Sequence, residues 1–202
     1  MTRLLICAPL AIEARAIRRG LPAGPPYATV LRTGLGSRCT PVLDGYGTLA
    51  VAGFGGALDG ALRPGDVLVA TEVWFGARRL RCTGAGLLAR ELTRIGVRAR
   101  TGPLITTGHV VREAERRWLS RTGARAVDME AGPLLAAAAG RPAAVVRAIV
   151  DTPGRPVLSR ASLTGGLTAR RTLRRIGPAL VRWSEATGPP DLPSAAPQES
   201  RT

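Results

Sequence analysis

Apolar residues in this chain gather in short, β-rich runs separated by stretches with helical spacing, and that alternation limits the fold most. Arg3 to Ala8, Thr29 to Arg32, Thr48 to Ala52, Asp66 to Val73, Arg125 to Val127 and Ala143 to Val150 read as strands. After Pro9, Leu10, Ala14, Ile17 and Leu21 recur at helical intervals, with Gly20 as the stop. Leu87 to Ile95, Arg112 to Leu119, Pro133 to Ala139 and Leu167 to Glu185 read as further helices. Strands alternating with helices build a layered α/β fold, and a chain of 202 residues buries a core without disulfides or metal. The expected organisation is one domain over 1–187 and a disordered Pro-rich tail over 188–202.

Composition removes several classes. Three cysteines, Cys7, Cys39 and Cys82, are too few and too scattered for a disulfide framework or a zinc module. No stretch approaches the ~20 apolar residues of a membrane span. Arg3, the apolar run Leu4 to Ile12 and Ala14-Arg15-Ala16 imitate a signal peptide, but Glu13 and Arg15 crowd the cleavage position, so a cytoplasmic protein is expected. There are 29 basic residues, every one of them arginine, against 14 acidic ones, a net charge of +15. Such a field favours anionic partners, while 3% aromatics leaves few platforms on which a nucleic-acid reader could stack bases. No specific nucleic acid is expected.

Candidate chemistry gathers at the carboxyl ends of strands, the edge where open α/β sheets bind ligands. Glu13, Glu130 and Asp151 follow three of the predicted strands. Glu13 also suits the first turn of a helix on dipole grounds alone. Burial of Asp151 at a strand end would favour its protonated form, which suits a proton donor. Gly34-Leu35-Gly36 and Gly53-Phe54-Gly55-Gly56 read as glycine turns offering backbone N–H groups to an anion or hydroxyl. Asp128 is expected to pair with an arginine, and His109, the single histidine, to be structural.

These segments carry a resemblance. LLICAPLAIEARAI with Glu13, TGLG at Thr33–Gly36, the block Val51–Val73, AVDMEAGPLLAAAAG at Ala126–Gly140 and VVRAIVD ending at Asp151 resemble, in collinear order, the nucleoside phosphorylase/nucleosidase superfamily. The resemblance implies a three-layer α/β/α fold around a central mixed, twisted sheet, with no metal and no cofactor. It also implies cleavage of the N-glycosidic bond of a purine nucleoside. Asp151 would protonate the departing purine, and Glu13 would activate the attacking water. Glu130 would hold the ribose hydroxyls and Met129 would pack on the sugar, with Gly53, Phe54, Gly55 and Val111 also contacting substrate. Phosphate is the alternative nucleophile, for which Gly34, Gly36, Arg38 and Arg147 are the candidate ligands. VDTPGRPVLSR, GGL, TLRRIGPAL and Trp183 are most similar to the hopanoid-associated branch, which implies adenine release from adenosylhopane. The chain departs from the family pattern in GFGGA and in Val150, where a Ser is common, which favours a more apolar substrate. A second copy of the chain is a further expected partner.

The predicted last helix is basic and amphipathic. Leu173, Ile176, Leu180 and Trp183 form its apolar stripe, Arg170, Arg171, Arg174, Arg175 and Arg182 crowd the rest, and Pro178 should kink it. Such a helix either packs on the sheet or lies on an anionic membrane at the inner face of the cell.

Overall fold

The computed structural model describes residues 3–23, 28–37, 41–153 and 160–189. The predicted tail beyond Pro189 lies outside the described residues. The elements run β1 (Leu4–Ala8), α1 (Ala11–Arg18), β2 (Ala28–Arg32), β3 (Thr48–Ala57), β4 (Val67–Phe75), β5 (Arg78–Arg81), α2 (Ala85–Arg94), β6 (Ala99–Thr106), α3 (Glu113–Ser120), β7 (Ala126–Asp128), α4 (Ala131–Ala136), β8 (Ala143–Asp151), α5 (Arg160–Arg175) and α6 (Gly177–Thr187). A short 3-10 turn, Leu35–Ser37, follows β2.

All the strands join one eight-stranded mixed sheet. β1 sits between β2 and β3, parallel to both. β3 runs parallel to β8, β8 antiparallel to β4, β4 parallel to β6, and β6 parallel to β7. β7 then returns antiparallel to the last residues of β3, so five strands close on themselves while β2, β1 and β5 extend outward. Register shifts at Gly55/Gly56 and between Ala70 and Val73 mark where the long strands bend to make that closure.

Both faces are covered, as α/β layering requires. Along β1 alternate residues point opposite ways. Leu4, Ile6 and Ala8 join the core beneath α1, α2, α5 and α6, and Leu5 and Cys7 join the core beneath α4. The apolar stripe Leu173, Ile176, Leu180 and Trp183 is fully buried in the first of these cores. It packs on the sheet and is not available to a lipid surface. No helix among the described residues is long and apolar enough to cross a membrane.

Three sequence expectations change. The glycines from Gly53 to Gly56 form no turn: all four positions lie within β3, which continues to Ala57. Strands β5 and β6 were not visible, because β5 is nearly all arginine and β6 is interrupted by Gly102-Pro103. The last helix is two helices, broken at Ile176, with Pro178 in the first turn of α6 where its missing N–H costs nothing. Gly20 also serves a different purpose from the one its position suggests. A Cβ there would lie 1.6 Å from the Arg174 carbonyl oxygen, and one on Gly177 would lie 2.6 Å from the Gly20 carbonyl oxygen. The end of α1 and the α5–α6 break therefore touch backbone to backbone. Gly20→Ala should cost about 2–3 kcal/mol, the scale of overpacking a tight contact. Thermal or denaturant unfolding measures it, and an unchanged midpoint would contradict this packing.

Candidate active site

The segments following β1, β7 and β8 surround a cavity of ≈ 210 Å³ that Glu13, Glu130 and Asp151 all line. The three carboxylates predicted to share one sheet edge thus face one space, and each is buried. Phe54, Gly55, Val111 and Met129 line it too, as the sequence led one to expect. The rest of the wall is mostly apolar and includes Leu10, Val127 and Val150, with Leu35 and Val110 exposed at its rim.

Glu13 is held at both oxygens. The Leu10 N–H donates to Oε2 at 2.6 Å, which closes the start of α1, and the Phe54 N–H donates to Oε1 at 2.7 Å. The Phe54 amide is available because β3 continues through the glycines. Burial pushes the Glu13 carboxyl above its ordinary value, and the Glu130 charge adds to this. The Phe54 N–H, the Arg147 charge and the Leu10 N–H pull the other way. Glu130, just before α4, accepts from the Gly36 N–H at 3.4 Å. Burial raises its proton affinity as well, and Arg147 opposes that rise.

Beneath these acids lies Arg147, fully buried in β8. Its Nη2 pairs with Asp128 Oδ2, which realises the arginine partner expected for Asp128. Asp128 also accepts from the Thr106 hydroxyl at 2.6 Å and from the Ala131 N–H at 2.8 Å. Among the described residues, Nη1 and Nε of Arg147 have no hydrogen-bond partner. Nη1 points toward Glu13: a Cβ on Gly53 would lie 2.6 Å from Nη1 and 2.8 Å from Glu13 Oε1. Gly53 does not line the cavity. It makes room for an arginine and a glutamate to approach each other.

Asp151, the last residue of β8, is buried as expected, but its environment is not apolar. Arg116 of α3 donates from Nη2 to Asp151 Oδ2 at 2.7 Å and from Nη1 to the Ala57 carbonyl at 3.1 Å. The carboxylate thus sits in a buried ion pair with a guanidinium. Gly56 allows the pairing, since a Cβ there would lie 2.7 Å from Asp151 Oδ1 and 3.0 Å from Arg116 Nη2. Sequence reading missed Arg116 among so many arginines. Its one signal was spacing, because it stands three residues before Leu119 and the two form the buried face of α3.

In the glycine turn both backbone amides have acceptors within the protein. The Gly34 N–H donates to the Pro9 carbonyl at 3.1 Å, and the Gly36 N–H is taken by Glu130. With φ at +82° and +67°, both glycines fold the turn back onto the protein instead of opening it to a ligand. Arg38 lies outside the described residues. Arg147 is within the floor and does not line the cavity. His109 bonds through Nε2 to the Glu115 carboxylate at 2.9 Å, an exposed contact at the cavity's mouth.

Solved structures share this fold. One is the 5′-methylthioadenosine/S-adenosylhomocysteine nucleosidase of Colwellia psychrerythraea in complex with adenine, at 14% identity and TM-score 0.77, covering 90% of this chain and 95% of that one. The corresponding nucleosidase of Campylobacter jejuni aligns at 13% identity and TM-score 0.74, covering 92% of this chain and 100% of the other. Futalosine hydrolase of Helicobacter pylori aligns at 16% identity and TM-score 0.72, covering 90% and 99%. No curated protein matches the sequence. The family model of the phosphorylase superfamily matches residues 24–165, most of the folded part, and the chain belongs to that superfamily.

Proposed function

We propose that the protein cleaves the N-glycosidic bond of a purine nucleoside, with water as the nucleophile. The observation that carries this reading is the meeting of Glu13, Glu130 and Asp151 on one open, largely apolar cavity. Superfamily membership supports it, as does the adenine held by the Colwellia nucleosidase.

The chemistry follows from what each group can do. Breaking the ribose–purine bond leaves positive charge on the sugar and negative charge on the base. Asp151 gives a proton to the five-membered ring of the purine, so the base departs neutral. Arg116 is its ion-pair partner in this structure. Glu130 offers two acceptor oxygens to the paired ribose hydroxyls, and its charge favours the cationic sugar. Met129 and Phe54 supply apolar surface on either side. Glu13 takes a proton from water as the new bond to the sugar carbon forms, much as the general base of an inverting glycosidase does. Arg147, buried beneath the cavity, sets its charge near the Glu13 carboxylate.

Water is favoured over phosphate on electrostatic grounds. A phosphate charge ~4 Å from a carboxylate costs about 4 kcal/mol per pair at an effective dielectric near 20. Here two carboxylates flank the site and both glycine amides are already engaged. The apolar wall suits a nucleoside with a hydrocarbon-like group on its 5′ carbon, in keeping with the resemblance to the hopanoid-associated branch and with adenosylhopane as substrate.

Asp151→Asn should lower turnover by ~10²–10⁴, the worth of a positioned acid, with the fold intact. The assay is free base released from adenosine, methylthioadenosine and a lipid-tailed adenosine; wild-type rates in the variant would contradict the assignment. A rate unchanged by inorganic phosphate is expected, whereas strict phosphate dependence would make the reaction phosphorolysis. Glu13 works when ionised and burial lifts its carboxyl above 4.5, so kcat/KM should rise with pH along an acid limb centred above that value. A limb centred at or below it would show that Glu13 is not the base.

A further inference from the structure

Outside the cavity, the strongest charged feature is a hollow of ≈ 460 Å³ between α1 and α5. Arg15 of α1 and Arg19 just past its end line it on one side, and Arg170, Arg171 and Arg174 of α5 on the other, with no acid among its lining residues. All five side chains are exposed, and none makes an ion pair or hydrogen bond among the described residues. Five uncompensated arginines on two adjacent helices repel one another. Their position calls for an external anion.

Apolar side chains stand among them. Ile12 lines the same hollow and is 46% exposed. Leu167 is 51% exposed and precedes Arg170 and Arg171 by one turn, on the same face of α5. A duplex would take the arginines at its phosphates but leave both aliphatic side chains in water. A lipid surface would take the arginines at its headgroups and the two aliphatic side chains into the acyl boundary.

α1 joins this face to the cavity. Leu10 and Glu13 line the cavity, while Ile12, Arg15 and Arg19 line the hollow, so the two openings lie on neighbouring flanks of one short helix. Leu35 and Val110, at the cavity rim, are 58% and 61% exposed.

We propose that the α1–α5 arginine face docks the protein on an anionic lipid bilayer, with the mouth of the cavity beside the membrane surface. The device differs from the amphipathic stripe read in the sequence: that stripe is buried, and the docking residues come from the opposite side of α5 together with α1. A substrate carrying a hydrocarbon tail would reach the cavity from the bilayer without crossing water.

Co-sedimentation of the full chain with vesicles of phosphatidylcholine alone, or mixed with phosphatidylglycerol, tests this without any turnover. The result is therefore independent of the nucleosidase reading. The protein should sediment only with the phosphatidylglycerol vesicles and be released by salt. Joint replacement of Arg15, Arg170 and Arg174 by Gln should weaken binding about 100-fold. Ile12→Ser with Leu167→Ser should weaken it about tenfold or more. Because none of these residues lines the cavity, the variants should hydrolyse soluble nucleoside as the wild type does. Failure to sediment with phosphatidylglycerol vesicles would overturn the proposal. So would binding that the arginine variant leaves unchanged, or tighter, arginine-dependent binding to random duplex DNA than to the vesicles.

Discussion

The Arg147–Asp128 pair is the constraint on which the rest of the structure rests. It is buried and ties β8 to β7 across β3, which pairs with both, and its hydrogen bonds reach further. The Thr106 hydroxyl brings in β6 by donating to Asp128, and it accepts from the Gly132 N–H at 2.9 Å. The Ala131 N–H ties in the start of α4. β3 can pass over the arginine only because Gly53 and Gly55 lack side chains; a Cβ on Gly55 would lie 2.9 Å from Arg147 Cβ. A buried ion pair of this kind is weak evidence of stability, because desolvation offsets its attraction. Its consequence is positional: with β7 and β8 locked, Glu130 and Asp151, just beyond them, have one place to go.

The same network shapes the electrostatics of the site. Glu13 and Glu130 are both raised by burial and both drawn back by the charge of Arg147. One guanidinium, satisfied on one side only, serves two carboxylates that it does not directly bond. Asp151 is served separately by Arg116 from α3. A protein with 29 arginines and 14 acids has thus placed several of its few carboxylates inside, each beside a buried cation, and left the surface basic. The net charge and the site share one arrangement.

Much of this was legible in the sequence, and the unread parts have physical reasons. Acids following apolar strand runs pointed to Glu13, Glu130 and Asp151. β1 and β8 run the same way and bring Glu13 and Asp151 to one edge, whereas β7 runs against β3 and brings Glu130 to the same cavity through the closure of the sheet. The apolar stripe of the last helix was legible as well, and it packs in the core. What misled was glycine. Gly53 to Gly56 imitate a turn, since glycine is the commonest local punctuation. Here their role is space for Arg147, Glu13, Asp151 and Arg116, all distant in sequence, and no local pattern carries that information. Gly34 and Gly36 are turn glycines, as read, but their amides face inward. Arg116 was hidden by abundance, one arginine among many, and β6 by its Gly102-Pro103 break.

The central claim is that three carboxylates from separate elements serve one purine nucleoside in one cavity. A crystal structure of the protein soaked with adenine tests it most directly. The account predicts the base in the cavity beside Phe54 and Met129, with a ring nitrogen within hydrogen-bonding distance of the Asp151 carboxyl. Adenine bound elsewhere, or a cavity left empty at saturating adenine with Arg116 still closed on Asp151, would contradict it.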